Sequence, residues 1–166
     1  MIRQCNDSDF EAIYFIINDA AEAYRSVIPD DCWHEPYMGR TELSDEIGDG
    51  IVFWGMEDNA QLNGVMGIQD KGEVTLIRHA YVRTGIQKQG IGTRLLHHFE
   101  SVTENPILIG TWATATWAIS FYQKNGYQLL ATKEKTKLLN KYWSVPGKQI
   151  ETSVVLADSK WRNGCA

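Results

Sequence analysis

Residues Gln87-Lys88-Gln89-Gly90-Ile91-Gly92 have the types and spacing to bind an anion. They separate an apolar run with strand character, Val74 to Val82, from an amphipathic stretch of helical spacing that begins near Gly90. A glycine-spaced turn opening onto a helix N-terminus presents unpaired backbone N–H groups and the positive end of the helix dipole. Gly90 and Gly92 carry no Cβ to hold a phosphate away from those groups. Two familiar phosphate chemistries do not fit. Gly85 and Gly90 are spaced as in a Walker A loop, but Ile91-Gly92 stand where Lys and Ser/Thr are required, which argues against a nucleotide triphosphatase. Gly90-x-Gly92 could open a dinucleotide fingerprint, yet Leu95 takes the third glycine position and the preceding strands come from hairpins, which argues against a Rossmann unit.

The elements that must position this turn are legible in the apolar spacing. Met1 to Asn6 reads as a short edge strand, and Asp7 or Ser8 offers an N-cap to a helix carrying Phe10, Ile13, Tyr14, Ile17, Ala21 and Tyr24. Pro29 ends it, Asp30 to Gly39 is irregular, and Thr41 caps a short helix to about Ile47. Strands follow at Ile51–Glu57, Gln61–Gln69 and Glu73–Val82, joined by the turn residues Asp58-Asn59 and Asp70-Lys71-Gly72. Ile91, Leu95, Phe99 and Val102 form one helical stripe, and Pro106 introduces a strand from Ile107 to about Ala113. A helix with Ala118, Phe121, Tyr122 and Asn125 stops at Gly126. A strand at Tyr127–Leu130, a helix at Lys133–Tyr142 and a last strand at Thr152–Leu156 complete the order. A β-meander with helices before and after it predicts a mixed α/β (α+β) fold, one sheet layer with helices on both faces.

Composition bounds the function. The 166 residues suit one domain spanning 1–166, and 43% hydrophobic with 22% charged residues is ordinary for a globular protein. A net charge of −5 argues against a nucleic-acid or acidic-membrane binder, because the phosphate backbone demands clustered Lys and Arg. No apolar run approaches the ~18 residues of a membrane span, and no signal-peptide pattern opens the chain, so a cytoplasmic location is expected. Cys5, Cys32 and Cys165 are scattered and odd in number, which points away from a disulfide framework or a metal site.

Gln87-x-x-Gly90-x-Gly92 resembles the Arg/Gln-x-x-Gly-x-Gly/Ala pyrophosphate loop of the GNAT superfamily of acyl-CoA N-acyltransferases, with Val82 five residues ahead where that family has a strand valine. Downstream, Ala118-Ile119-Ser120-Phe121-Tyr122-Gln123-Lys124-Asn125-Gly126-Tyr127 resembles the family's Ala-x-x-Phe-Tyr-x-Lys-x-Gly-Phe/Tyr segment. The likeness covers the whole chain in element order, with motif-grade matches at Ala80 to Gly92 and Ala118 to Tyr127. It implies a mostly antiparallel sheet of about seven strands, splayed between the fourth and fifth, and acetyl-CoA as acyl donor with no metal.

In that family the cofactor lies where two parallel strands part, here Glu73–Val82 and Ile107–Ala113. The backbone of Ala80, Tyr81 and Val82 would then hold the pantetheine arm like an added strand. Gln87, Lys88, Gln89, Gly90, Ile91, Gly92 and Thr93 would hold the pyrophosphate, through backbone N–H groups from Lys88 onward and the Thr93 hydroxyl. Tyr122 matches the family's general-acid tyrosine. Amine acetylation also needs a base, because the amine must attack in its neutral form. His79 is the first candidate; Glu73, Glu35, His34 or a water chain are alternatives. A regular pleat puts Glu73, Thr75, Ile77, His79 and Tyr81 on one face and Arg78 and Ala80 on the other, and a bulge before the splay would reassign them. Arg78 at the acceptor site would favour a carboxylated substrate. Tyr24, Trp33, Tyr37, Trp54 and Trp112 are candidates for an aromatic acceptor pocket, with Tyr24, Trp33, Arg78 and Trp112 as its expected contacts. Residues Lys141 to Glu151 either cover that pocket or form a homodimer contact. One position departs from the family pattern: Ala115 stands where an asparagine often contacts the pantetheine. The resemblance implies N-acetylation of a primary amine, and a compact chain with no appended recognition module points to a small molecule rather than a protein tail. The rival readings are a non-catalytic acyl-CoA-binding module and a transferase of another acyl group or to a hydroxyl.

Overall fold

The computed structural model describes residues 1–164, so Cys165 lies outside the described residues. Seven strands form one sheet in the order β1-β2-β3-β4-β5-β7-β6: β1 (Ile2–Gln4), β2 (Val52–Asp58), β3 (Gln61–Asp70), β4 (Thr75–Val82), β5 (Ile107–Trp112), β6 (Gln128–Leu129) and β7 (Ser153–Ala157). Every neighbouring pair is antiparallel except β4 and β5. The helices are α1 (Phe10–Ala21), α2 (Arg40–Gly48), α3 (Ile91–Val102), α4 (Thr116–Lys124), α5 (Thr132–Tyr142), α6 (Gly147–Glu151) and α7 (Ser159–Gly164). None of them is long and apolar enough to cross a membrane.

Both faces of the sheet are covered, as the sequence predicts. On one face Leu95, Leu96 and Phe99 of α3 and Tyr122 of α4 pack on Met66, Ile77, Ile107 and Ile109. On the other, Ile13, Ile16 and Ile17 of α1 and Leu43 of α2 meet Phe53, Leu62 and Val65. Farther along that second face, Leu138 and Leu139 of α5 meet Leu76, Leu108 and Val155. The expected strands and longer helices lie within two residues or so of their predicted limits, except the first helix, which was expected to carry Tyr24 and run to Pro29 but stops at Ala21 and continues only as a 3-10 turn at Glu22–Tyr24. The short helices α6 and α7 were not anticipated, since a single turn buries too little to leave an apolar stripe.

Two caps differ from expectation. The chain enters α1 through a 3-10 turn at Asp7–Asp9 whose cap is Asn6, neither Asp7 nor Ser8. The Asn6 side chain accepts the Ser8 N–H at 2.9 Å, and the Asp9 carboxylate accepts the Asn6 N–H at 2.8 Å. The α2 cap is Gly39, with Thr41 already inside the helix, because Glu42 reaches back to the Gly39 N–H at 3.4 Å.

Asp9 also receives both terminal nitrogens of Arg3, at 2.8 and 2.9 Å, while Glu57 binds the same guanidinium. The Arg3 hydrogen bond holds the Asp9 carboxyl below its ordinary 3.8, against the opposing pull of desolvation. A depressed carboxylate contributes stability above its unfolded pKa and loses it as the pH falls through the folded value. Asp9→Ala is therefore expected to cost about 1–2 kcal/mol at pH 7. In urea melts the gap to wild type should close as the pH drops below 3.8; a gap that persists at pH 2 would place the loss in packing instead.

Candidate active site

The glycine turn is held from two sides. A 3-10 turn at Thr84–Ile86 precedes it, and the Thr84 N–H donates to the Asp19 carboxylate on α1 at 2.9 Å. The Gln87 side-chain amide donates to the Val82 carbonyl at 3.1 Å, so this residue braces the loop against the end of β4. Lys88 (φ +67°) and Gly90 (φ +78°) both take left-handed backbone, and Gly90 caps α3 directly. Among the described residues, no backbone acceptor serves the N–H groups from Lys88 to Thr93. Six adjacent amides at a helix N-terminus make a site for an anion. The two glycines serve different ends. At Gly90 a side chain would have open space but a strained φ; at Gly92 a Cβ would stand 3.3 Å from the Phe121 ring. Gly92 thus also admits α4 close to α3.

From this turn a notch leads into the sheet. The β4–β5 ladder pairs Thr75–Ile107, Leu76–Leu108 and Ile77–Ile109 and stops there, although β4 continues to Val82 and β5 to Trp112. Their outer edges stay paired, Val82 with Gly64 and Trp112 with Ser153. The facing edges beyond Ile77 and Ile109 therefore have backbone groups free for an extended ligand. This is where the expected pantetheine contacts, Ala80, Tyr81 and Val82, are found. A cavity of about 130 Å³ fills the notch, with Ala80, Tyr122, Trp112, Arg78 and Trp143 in its walls.

A bulge decides which side chains reach that cavity. Val65 pairs with Tyr81 and Gly67 with Arg78, so Met66 alone opposes His79 and Ala80. His79 absorbs the extra residue at φ +56°, strained backbone of the kind that clusters at functional sites. The regular-pleat expectation is corrected accordingly. Ala80 and Val82 pack with Ile77 toward α3, whereas Tyr81 packs toward α1. His79 follows Tyr81, its ring stacked between Tyr81 (6.5 Å) and Phe53 (6.1 Å).

There the His79 Nε2 meets the Glu46 carboxylate of α2, which also lies 3.7 Å from Arg78. Burial would raise the Glu46 carboxyl, but the His79 hydrogen bond and the nearby positive charge outweigh it and hold the group below its ordinary 4.5. Glu46 was not predicted. It sits on a polar helix beside Asp45, and only tertiary packing distinguishes the two. Of the other proposed bases, Glu73 is spent at the far end of β4 on Lys141 (2.9 Å) and the Tyr142 hydroxyl (2.5 Å). Glu35 pairs with Arg25 and the Trp33 indole, and His34 with the Pro36 carbonyl, all on the exposed surface.

Tyr122 enters from the α3 side and is 6% exposed. Burial, reinforced by Tyr24, pushes its phenol far above 10, so it carries its proton at neutral pH. Three more phenols stand near it. Tyr24 is raised by burial to about 12, and Tyr37 and Tyr81 are raised by burial as well. Tyr24 and Trp112 line the cavity as expected; Trp33 does not, but stacks behind Tyr37 at 5.4 Å. Trp54 lies on the other face against His98 at 4.7 Å and is no part of the pocket. Residues 141–151 bring Trp143, Val145 and Gln149 into the cavity wall, so this segment covers the site, and Lys148 ties it to Asp31 at 3.7 Å. Trp143 lies on Gly110 of β5, where a Cβ would stand 3.3 Å from its ring. Ala115 is fully buried with Ile28, Trp112 and Ala118, a place with no room for asparagine, and the Thr114 hydroxyl is committed to the Val27 carbonyl at 2.8 Å.

Known proteins place this geometry. The family model for a GNAT acetyltransferase domain matches residues 49–129, which contain the notch, the turn and Tyr122. No curated protein sequence matches the chain. Among solved structures, the PaiA N-acetyltransferase of Thermoplasma acidophilum, bound to coenzyme A, is similar at TM-score 0.70 and 17% identity over 95% of this chain and 97% of its own. The ribosomal-protein-S18-alanine N-acetyltransferase of Escherichia coli is similar at TM-score 0.67 and 16% identity over 95% of this chain and 92% of its own. A GNAT acetyltransferase of Elizabethkingia anophelis with acetyl-CoA bound reaches TM-score 0.59 and 19% identity over 95% of this chain and 96% of its own. The splayed β4–β5 pair, the amide-lined turn and the family match converge on the same residues: the fold is that of the GNAT acetyltransferases, and residues 49–129 match that family's domain model.

Proposed function

We propose that this protein is an N-acetyltransferase that moves an acetyl group from acetyl-CoA to a primary amine of a small molecule, by direct attack with both substrates bound. The observation that carries the reading is one continuous path. It runs from the unpaired amides at 88–93, along the open edge of β4, to a buried neutral phenol and a histidine–carboxylate pair.

When bound, acetyl-CoA supplies an activated acetyl thioester. The residues present fit it: a left-handed glycine turn for the pyrophosphate, then a strand edge for the amide-bearing arm. His79, oriented by Glu46, takes the proton that the amine must lose to attack. Tyr122 donates its phenolic proton to the departing sulfur and regains one afterwards. Trp143 and Trp112 keep water from the reacting atoms, which strengthens each of these polar contacts.

The test is acetyl-CoA-dependent thiol release over a panel of small amines, with product masses read for a gain of one acetyl group. Acetyl-CoA should also raise the melting temperature. Gly90→Val forces a β-branched residue into φ +78°, at about 1–2 kcal/mol, and relief requires the turn to move. Its acetyl-CoA affinity is expected to fall about tenfold, while the unliganded melting temperature drops by only a few degrees. Unchanged affinity in this variant would remove the turn from the cofactor site.

A further inference from the structure

We infer that the acetyl acceptor carries a carboxylate, and that Arg78 is the residue that holds it. This rests on the acyltransferase reading above and adds the substrate class to it. Arg78 is the residue just before the bulge, on the sheet face that carries α1, α2 and α5, and it lines the cavity. Tyr122 approaches the same cavity from the opposite face. The cavity therefore crosses the sheet, with the proton donor at one end and the guanidinium at the other. His79 and Glu46 stand beside Arg78.

Three features mark Arg78 as a ligand-holding group. Its side chain is only 19% exposed, and a cation removed from water needs compensation. Yet its own partners supply little: one hydrogen bond, to the Gln69 side chain at a long 3.3 Å, and Glu46 at 3.7 Å, beyond hydrogen-bond reach. A guanidinium has five N–H donors in a planar fork that matches a carboxylate, so most of its capacity is unused among the described residues. Glu46, meanwhile, is committed to His79, so it cannot turn fully to Arg78. The charges also balance. Glu46 and Arg78 cancel, and an amino acid that enters as a zwitterion adds no net charge to the site. The cavity is about 130 Å³, well below the ~300–1,000 Å³ of most ligand pockets. The acceptor is then a compact amine with a carboxylate nearby, in the manner of a small amino acid.

The experiment compares kcat/KM for a panel of compact amino acids with that for the methyl ester of each, using wild type, Arg78→Gln and Arg78→Lys. Esterification removes the negative charge and also lowers the amine pKa, so the bias runs against the inference. Wild type should prefer at least one acid over its ester by at least about tenfold, the scale on which a buried recognition group rejects an analogue lacking its partner. In Arg78→Gln that ratio should fall to about one, through a raised KM for the acid, while Arg78→Lys keeps part of it. The dissociation constant for acetyl-CoA should stay within about twofold in both variants. A wild-type enzyme that acetylates every ester as well as its acid overturns the inference, as does a preference that survives in Arg78→Gln. If Arg78→Gln fails to fold, the wild-type ratio and Arg78→Lys decide alone. Failure of acetyl-CoA to bind wild type sinks the acyltransferase reading itself, which separates the two failures.

Discussion

Tyr122→Phe is expected to lower kcat by about 10²- to 10³-fold, with the KM for acetyl-CoA nearly unchanged, in a thiol-release assay at pH 7.5. The substitution removes one oxygen and keeps the ring, which packs edge-on to Phe121 at 5.0 Å and to Tyr127 at 6.0 Å. Core packing is preserved, so the melting temperature should move by no more than a few degrees. What is lost is a proton that burial keeps on the phenol. Without it the sulfur departs as a thiolate into a site built largely of aromatic rings, where an unpaired charge is expensive. The loss therefore falls on the transition state and not on binding. A Tyr122→Phe enzyme with normal kcat would reduce this tyrosine to a core aromatic and leave the notch without its acid.

His79→Gln should lower kcat/KM by about 10²-fold near neutral pH, and the deficit should shrink as the pH rises. A primary amine of pKa about 10.4 is neutral in roughly one molecule per 10³ at pH 7.4. A variant without the base depends on that fraction, so its rate should climb about tenfold per pH unit, faster than the wild-type rate. Damage to packing alone would give a deficit independent of pH. Glu46→Gln tests the partner. It leaves the imidazole in place and removes the carboxylate that orients it, so a smaller loss of about tenfold is expected. A loss deeper than that of His79→Gln would reverse the roles and make Glu46 the base. The comparison is clean because the Glu46 carboxyl is held below its ordinary 4.5 and stays ionised throughout the range of the assay.

The parts of the site that depend on backbone were legible in the chain. Gly90 and the helix after it specify unpaired amides at a fixed place, whatever packs around them, because an α-helix leaves its first N–H groups unbonded wherever it starts. Element order was legible for a related reason: each long element carries its own apolar stripe, as Leu95 and Phe99 do on α3. The second motif placed Tyr122 on a helix, and the α3 packing then fixes its ring in the notch.

What could not be read was the set of side chains arriving from distant elements. Glu46 and His79 are 33 residues apart, and nothing on α2 separates Glu46 from a solvated surface carboxylate. Trp54 was grouped with the pocket aromatics, yet alternation along β2 sends it to the α3 face while Phe53 goes to the other. Residues Lys141 to Glu151 read from sequence only as a pocket cover or a homodimer contact; the seat of Trp143 on Gly110 appears only when β5 and β7 pair.

The sequence by itself determined the elements proposed to hold the donor: a glycine turn, a strand before it and a tyrosine helix after it, all set by local backbone propensity and spacing. Only the tertiary structure decided which side chains stand at the proposed acceptor end. One extra residue at His79 opposite Met66 rotates the strand, turns the histidine away from α3 and toward Glu46, and leaves Arg78 facing the cavity. A bulge is a mismatch between two paired strands, so it exists only in their pairing and neither strand carries it alone.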